Sequence, residues 1–230
     1  MFKLTGRNDP TDTLIVSKAL QGAKNSGTCS TQQSPITRPL LHRLIDSLPS
    51  CASSVYEQAL FKALFLTAYS ACLRAGEIVL SNNPQHLLQF HQLHWTDNSD
   101  NQTININMSS FKHSNQRTPI LTIQPDMDPI YCPVRALFSY RQMRGTSQGP
   151  LMRHPSGKPV TRAEFLRFLH KCLSFCGVEP TNYGTHSFRI GRATQMASDN
   201  VPDSQIRATG RWASNAYRGY IRPSSIILPK

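Results

Sequence analysis

Two kinds of hydrophobic pattern divide the chain. From Thr37 the apolar residues recur at three and four positions, first in TRPLLHRLIDSLP and then in SSVYEQALFKALFLTAYSACLRAGEIVL. This is the helical period, with Ser53 or Ser54 placed to cap the second segment, and core helices are predicted there. Over residues 87–122 the pattern changes to short alternating runs, LLQFHQLHW, QTININM and TPILTI, separated by the polar stretches TDNSDN and SSFKHSNQR. Three strands of a small antiparallel sheet are predicted there. Helical spacing returns after Pro133 in VRALFSYRQMR, TRAEFLRFLHKCLSFCGV and SFRIGRATQMASDN, then in two short segments around SQIRATGRW and NAYRGYIR. The order is helices, sheet, helices, which predicts a mostly α, α+β fold.

Upstream of this body, residues 11–24 place Leu14, Ile15, Ala19 and Leu20 at near-helical spacing, and NSGTCSTQQSP follows as a breaker-rich linker ending near Pro35. One isolated helix before a linker reads as the end of a preceding domain. The expected organisation is therefore residues 1–34 as a terminal helix plus linker, and 35–230 as the main domain.

Charge narrows the function. Among 230 residues, 25 Lys and Arg face 13 Asp and Glu, a formal charge of +12. Such an excess favours a polyanionic partner, nucleic acid first. Six cysteines form no CxxC pair, so neither a zinc site nor another metal centre is expected, and buried free thiols are the simpler reading. No apolar run approaches the ~18 residues of a membrane span, and no P-loop or paired-carboxylate metal site is present, so no cofactor is expected.

Taken singly, the polar residues are ordinary; their order is not. Arg74 ends a core helix in LRAGE, Lys112 sits in the turn between two strands, and His186 and Arg189 open a late helix as THSFR. GRW and then Tyr220 close the set. This succession resembles the tyrosine recombinase (phage integrase) family over residues 37–223. More narrowly, DPTDTLIVSKALQGAK, SPITRPLLHRL, THSFRIGRAT and GRWASNAYRGYIRP look like the recombinases of Ngaro-type retrotransposons and Crypton elements.

The resemblance implies a helical catalytic domain with a small three-stranded sheet that cuts and rejoins double-stranded DNA through a 3′-phosphotyrosyl link. It also implies a homotetramer on DNA, a nuclear workplace, a preceding DNA-gripping domain, and no cofactor. A tail after the nucleophile, SSIILPK, would dock on a neighbouring copy. The chemistry suits the residues. Planar guanidinium forks bind phosphate oxygens bidentately, as Arg74 and Arg189 would, and an imidazole at His186 can take the tyrosine proton. Lys112 can protonate the departing 5′ oxygen, a role closed to arginine, whose pKa exceeds ~12. Arg117 and His113 are its neighbours in the turn.

Two positions stay open. Arg211, nine residues before Tyr220, stands where the family carries His or Trp, with Trp212 one residue out of register. Arg211 would act electrostatically, and Trp212 would otherwise be a core aromatic. Glu77, three residues after Arg74, either holds that guanidinium or is an ordinary surface carboxylate. Tyr217 lies three short of the nucleophile spacing and reads as a packing residue. The rival functions are a type IB topoisomerase activity and a catalytically inert DNA-binding module.

Overall fold

The computed structural model describes residues 33–82, 84–96, 102–108 and 119–222. The predicted helix at 11–24, the Lys112 turn and the SSIILPK tail therefore lie outside the described residues.

Helix α1, Arg38–Cys51, begins where the Thr37 hydroxyl accepts from the Leu40 amide, and it buries one stripe: Leu40, Leu41, Leu44, Ile45 and Leu48. The following helix, α2, spans Val55–Ser70 and starts at Ser54, whose hydroxyl accepts from the Glu57 amide at 3.1 Å. Its residues Leu60, Phe61, Ala63, Leu64, Phe65 and Leu66 are all buried, the pattern of a helix surrounded by protein. It packs on α1 and on two later helices.

The helical pattern that runs through SSVYEQALFKALFLTAYSACLRAGEIVL is broken. Cys72 takes φ +49°, the Leu73 amide donates to Ala68 and the Cys72 amide to Tyr69. That pair of bonds is the helix-ending motif in which a left-handed residue, most often Gly, closes the last turn. Only a four-residue helix follows, α3 (Ala75–Ile78), so Arg74 is the N-cap of a new element rather than the end of a core helix.

The sheet has the predicted three antiparallel strands in the order β1 (Leu93–Thr96), β2 (Thr103–Asn107), β3 (Ile120–Ile123). Its register pairs Leu93 with Ile106, Ile106 with Leu121, and Ile104 with Ile123, and all five side chains are buried. The first strand is shorter than its apolar run. Gln89 and Gln92 cap each other reciprocally, and Phe90–Gln92 forms a 3₁₀ turn instead. At the far end of β2 the Met108 amide donates to the Pro119 carbonyl at 3.1 Å.

Helices α4 (Pro133–Arg144), α5 (Arg162–Phe175), α6 (Ser187–Ser198) and α7 (Asp203–Gly210) complete the domain, with a 3₁₀ segment, Asn215–Tyr220, after α7. Between α4 and α5 the chain has no long element. Arg144 fastens it, donating to the carbonyls of Gly145, Ser147, Pro150 and Leu151. Phe61, Phe65, Phe165, Phe168 and Phe188 meet at the centre, with Phe61 and Phe168 stacked at 3.7 Å. A second cluster, Met196, Ile206 and Tyr217, seats the 3₁₀ segment against α6 and α7. The four cysteines 51, 72, 132 and 172 are buried free thiols, and Cys176 is partly buried. No helix among the described residues is long and apolar enough to cross a membrane.

Candidate active site

The site forms where the end of α2, the start of α6, the end of α7 and the 3₁₀ segment converge. Arg189, on the first turn of α6, is 0% exposed. Its two terminal nitrogens donate to the carbonyls of Cys72 and Gly210, each at 2.5 Å. Its guanidinium lies 4.1 Å from the centre of the Trp212 ring and 5.5 Å from that of Tyr220. The left-handed turn at Cys72 thus has a purpose: it aims a carbonyl inward at this cation.

His186 is the N-cap of α6, and its ring centre is 5.1 Å from that of Tyr220. Burial, helped by the positive fields of Arg189, Arg74 and Arg162, pushes its pKa down to about 4. The imidazole is therefore neutral at physiological pH and able to accept a proton.

Tyr220 ends the 3₁₀ segment and faces Trp212 edge-on at 5.0 Å. Its backbone is fixed through Thr194, whose hydroxyl donates to the Tyr220 carbonyl at 3.2 Å and accepts from the Arg222 amide at 3.1 Å. Sequence reasoning passed over Thr194, although its place two turns after His186 on α6 is the available signal. Tyr217, by contrast, is 1% exposed in the second hydrophobic cluster, and its hydroxyl accepts from Arg218 Nε at 3.2 Å.

Glu77 is no surface carboxylate. Its side chain is 2% exposed, accepts from the Arg74 amide at 2.7 Å and from Arg74 Nη1 at 3.0 Å, and pairs with Arg211 Nη2 at 2.5 Å. One buried carboxylate therefore organises two arginines far apart in sequence. Arg211 is itself buried, its side chain 3% exposed, and adopts φ +55° as the left-handed end of α7. Its Nε and Nη1, like Nε of Arg189, are buried without a hydrogen-bond partner.

The structure thus brings Arg74, Glu77, His186, Arg189, Arg211, Trp212 and Tyr220 together, while Lys112 lies outside the described residues. Arg74 and Arg189 do not form a symmetric clamp. Arg74 keeps 24% of its side chain exposed, whereas Arg189 is sealed under Trp212. Of the two competing positions, Trp212 touches both Arg189 and Tyr220, and Arg211 reaches instead to Glu77. Two guanidiniums pair with one carboxylate, and a third, that of Arg189, lies within its field beside a neutral histidine, so the centre carries a positive excess suited to a phosphate group.

No family model matches the sequence, and no curated protein matches it. The fold does match solved structures. A XerH site-specific recombinase bound to its difH substrate in a pre-cleavage complex superposes with a TM-score of 0.60 at 16% identity, over 81% of this chain and 49% of that one. A lambda integrase dimer bound to a COC′ core site gives 0.57 at 12% identity, over 93% and 59%. The Tn1549 transposon integrase in complex with circular intermediate DNA gives 0.56 at 14% identity, over 94% and 67%. The chain spans about half the length of the XerH protein it matches. It has the fold of a tyrosine recombinase catalytic domain, a helical body with a small three-stranded antiparallel sheet, as the sequence pattern predicted.

Proposed function

We propose that this chain is a DNA-breaking and rejoining domain of the tyrosine recombinase family in which Tyr220 is the nucleophile. One observation carries the reading: Tyr220, His186, Trp212 and Arg189 converge from three separate elements, within a fold shared with proteins solved on DNA. The Tyr220 oxygen attacks the phosphorus, the bond to the 5′ oxygen breaks, and a 3′-phosphotyrosyl link remains. His186 takes the phenolic proton, Lys112 supplies one to the 5′ oxygen, and the reverse attack by a 5′ hydroxyl reseals the strand. Arg74, at the solvent edge, seats the phosphate. Arg189 and Arg211 stabilise its charge from beneath, each with a buried Nε left to offer.

On this reading the partner is double-stranded DNA, gripped by an assembly of several copies. The motifs THSFRIGRAT and GRWASNAYRGYIRP support a place among Ngaro-type and Crypton-like mobile elements, and with it work in the nucleus. A nicked suicide duplex tests the chemistry, because an active enzyme becomes trapped on it covalently. The expected adduct is on Tyr220, absent in Tyr220→Phe and retained in Tyr217→Phe. An adduct on Tyr217, or none on a protein that still binds the duplex, overturns the assignment; in the second case it overturns the enzyme reading as well.

A further inference from the structure

A cavity of about 150 Å³ is walled by the start of α1, the end of α2, the chain following β3, the start of α4 and Arg192 of α6. Tyr69 lines it and is 3% exposed, yet its hydroxyl has no hydrogen-bond partner. Arg192, one turn after Arg189, places its guanidinium 5.9 Å from the centre of the Tyr69 ring, and its buried Nε is likewise without a partner. Arg38 stands at the mouth. Native proteins rarely leave such donors unmet, and here a phenol and a guanidinium share one small space.

The surroundings select the sign of what binds. The first residues of α1 and α4, Arg38 and Pro133, both line the cavity, and neither helix carries an acidic residue in its first turn. Helix N-termini of this kind favour negative charge. Among the lining residues the opposing charge is Asp126, whose carboxylate is 3.9 Å from Arg38 and is 34% exposed; Asp199 acts on Tyr69, and Asp46 and Asp128 on His42, from outside the lining. Within the lining itself, two guanidiniums against one carboxylate leave a positive balance. The remaining wall is the stacked pair His42 and Tyr131, ring centres 3.6 Å apart, with Tyr131 donating outward to Asp46. Burial raises the Tyr69 pKa to about 12, which keeps the phenol a donor at neutral pH. A single water needs only ~10–15 Å³ of such space, so a tetrahedral oxyanion fits.

We propose that this cavity is a second oxyanion site, built to hold one phosphate group on Arg192, the Tyr69 hydroxyl and Arg38. It is separate from the Arg74, Arg189 and Arg211 centre, and it does not depend on strand cleavage. The phosphate comes either from a duplex backbone or from free phosphate in solution.

Labelling the tyrosine rings and the arginine Nε groups of the full chain for NMR, and titrating with sodium phosphate against chloride at constant ionic strength, tests this directly. The Tyr69 and Arg192 signals are expected to shift saturably. In Arg192→Gln the shift at Tyr69 should require roughly tenfold more phosphate or more, because a charge-assisted contact is lost, while any response at Tyr220 persists. Tyr69→Phe, which removes a single oxygen, assigns the signal and supplies a variant whose fold is least disturbed; its Arg192 signal should also need more phosphate. A duplex oligonucleotide that reproduces the Tyr69 shift and competes with phosphate identifies a backbone phosphate as the ligand. A duplex that leaves Tyr69 unmoved while phosphate still binds identifies free phosphate. A Tyr69 signal that does not saturate, or a response unchanged in both variants, overturns the site and leaves a cavity filled by water. Because this readout is independent of covalent trapping, an inert protein that binds phosphate here, or a cleaving one that does not, tells the two proposals apart.

Discussion

Glu77 and Arg211, 134 positions apart in the chain, meet in an ion pair 2.5 Å long that solvent scarcely reaches, with side chains 2% and 3% exposed. Removing one member of such a pair strands the other in a poorly solvated interior, at a cost of about 3–5 kcal/mol. Glu77→Ala should approach that cost in urea denaturation, because it strands Arg211 and frees Arg74 as well. Arg211→Ala should cost less, since Arg74 still neutralises the carboxylate. The double variant should be less destabilised than the sum of the two, and strict additivity would deny the coupling.

Gly210 faces a tighter constraint than its place at a helix end requires. A Cβ there would lie 1.7 Å from Trp212 Cζ3, so Gly210→Ala must displace the indole from between Arg189 and Tyr220. The expected result is at least a tenfold loss of covalent adduct, because a displacement of ~1 Å at a reacting group can cost ~100-fold. Affinity for a duplex should fall much less. Equal losses in both measurements would place the effect in folding rather than at Tyr220.

His186 links stability to pH. Its pKa lies near 4 in the folded chain, against 6.5 for a free imidazole. Between these values the unfolded chain holds more protons, so stability is greatest above pH ~6.5 and falls as pH drops toward 4. The full effect is on the order of 3 kcal/mol. Urea midpoints at pH 7 and pH 5 should show the loss, and His186→Gln should flatten it.

With 25 basic against 13 acidic residues, binding to duplex DNA should weaken steeply with salt, log K against log[salt] sloping by roughly −0.9 for each phosphate contacted. Arg74→Gln should make the slope shallower by about that amount. An unchanged slope would mean that Arg74 meets no phosphate.

Much of this was legible in the sequence, because periodicity carries element type: among the described residues the order of helices, three strands and helices, and the late His-x-x-Arg at the start of α6, fall where the spacing places them, while the second helical segment breaks at Cys72 and the first strand is shorter than its apolar run. What escaped prediction depends on backbone dihedrals written in unusual residues. A left-handed residue ends α2 at Cys72 and α7 at Arg211, with φ of +49° and +55°, where glycine is the ordinary signal. The first hid a helix break. The second rotates two adjacent side chains apart, so that counting nine residues back from Tyr220 reaches Arg211 while the residue against the tyrosine ring is Trp212. Glu77 was ambiguous for a different reason. Its partner Arg211 comes from a remote segment, and single-chain spacing reports only the neighbour three residues away.

Arg189 holds two distant carbonyls, those of Cys72 and Gly210, while lying wholly inside the protein. Selection for folding alone would therefore keep it in a descendant that had lost all chemistry. The same holds for Glu77. Under the proposed function, Tyr220, whose aromatic ring packs on Trp212 and His186, has a use for its hydroxyl that packing does not supply. Among related chains, decay of activity should first be written as Phe at 220 beneath an intact Arg189, so the arginine records ancestry and the phenol records use.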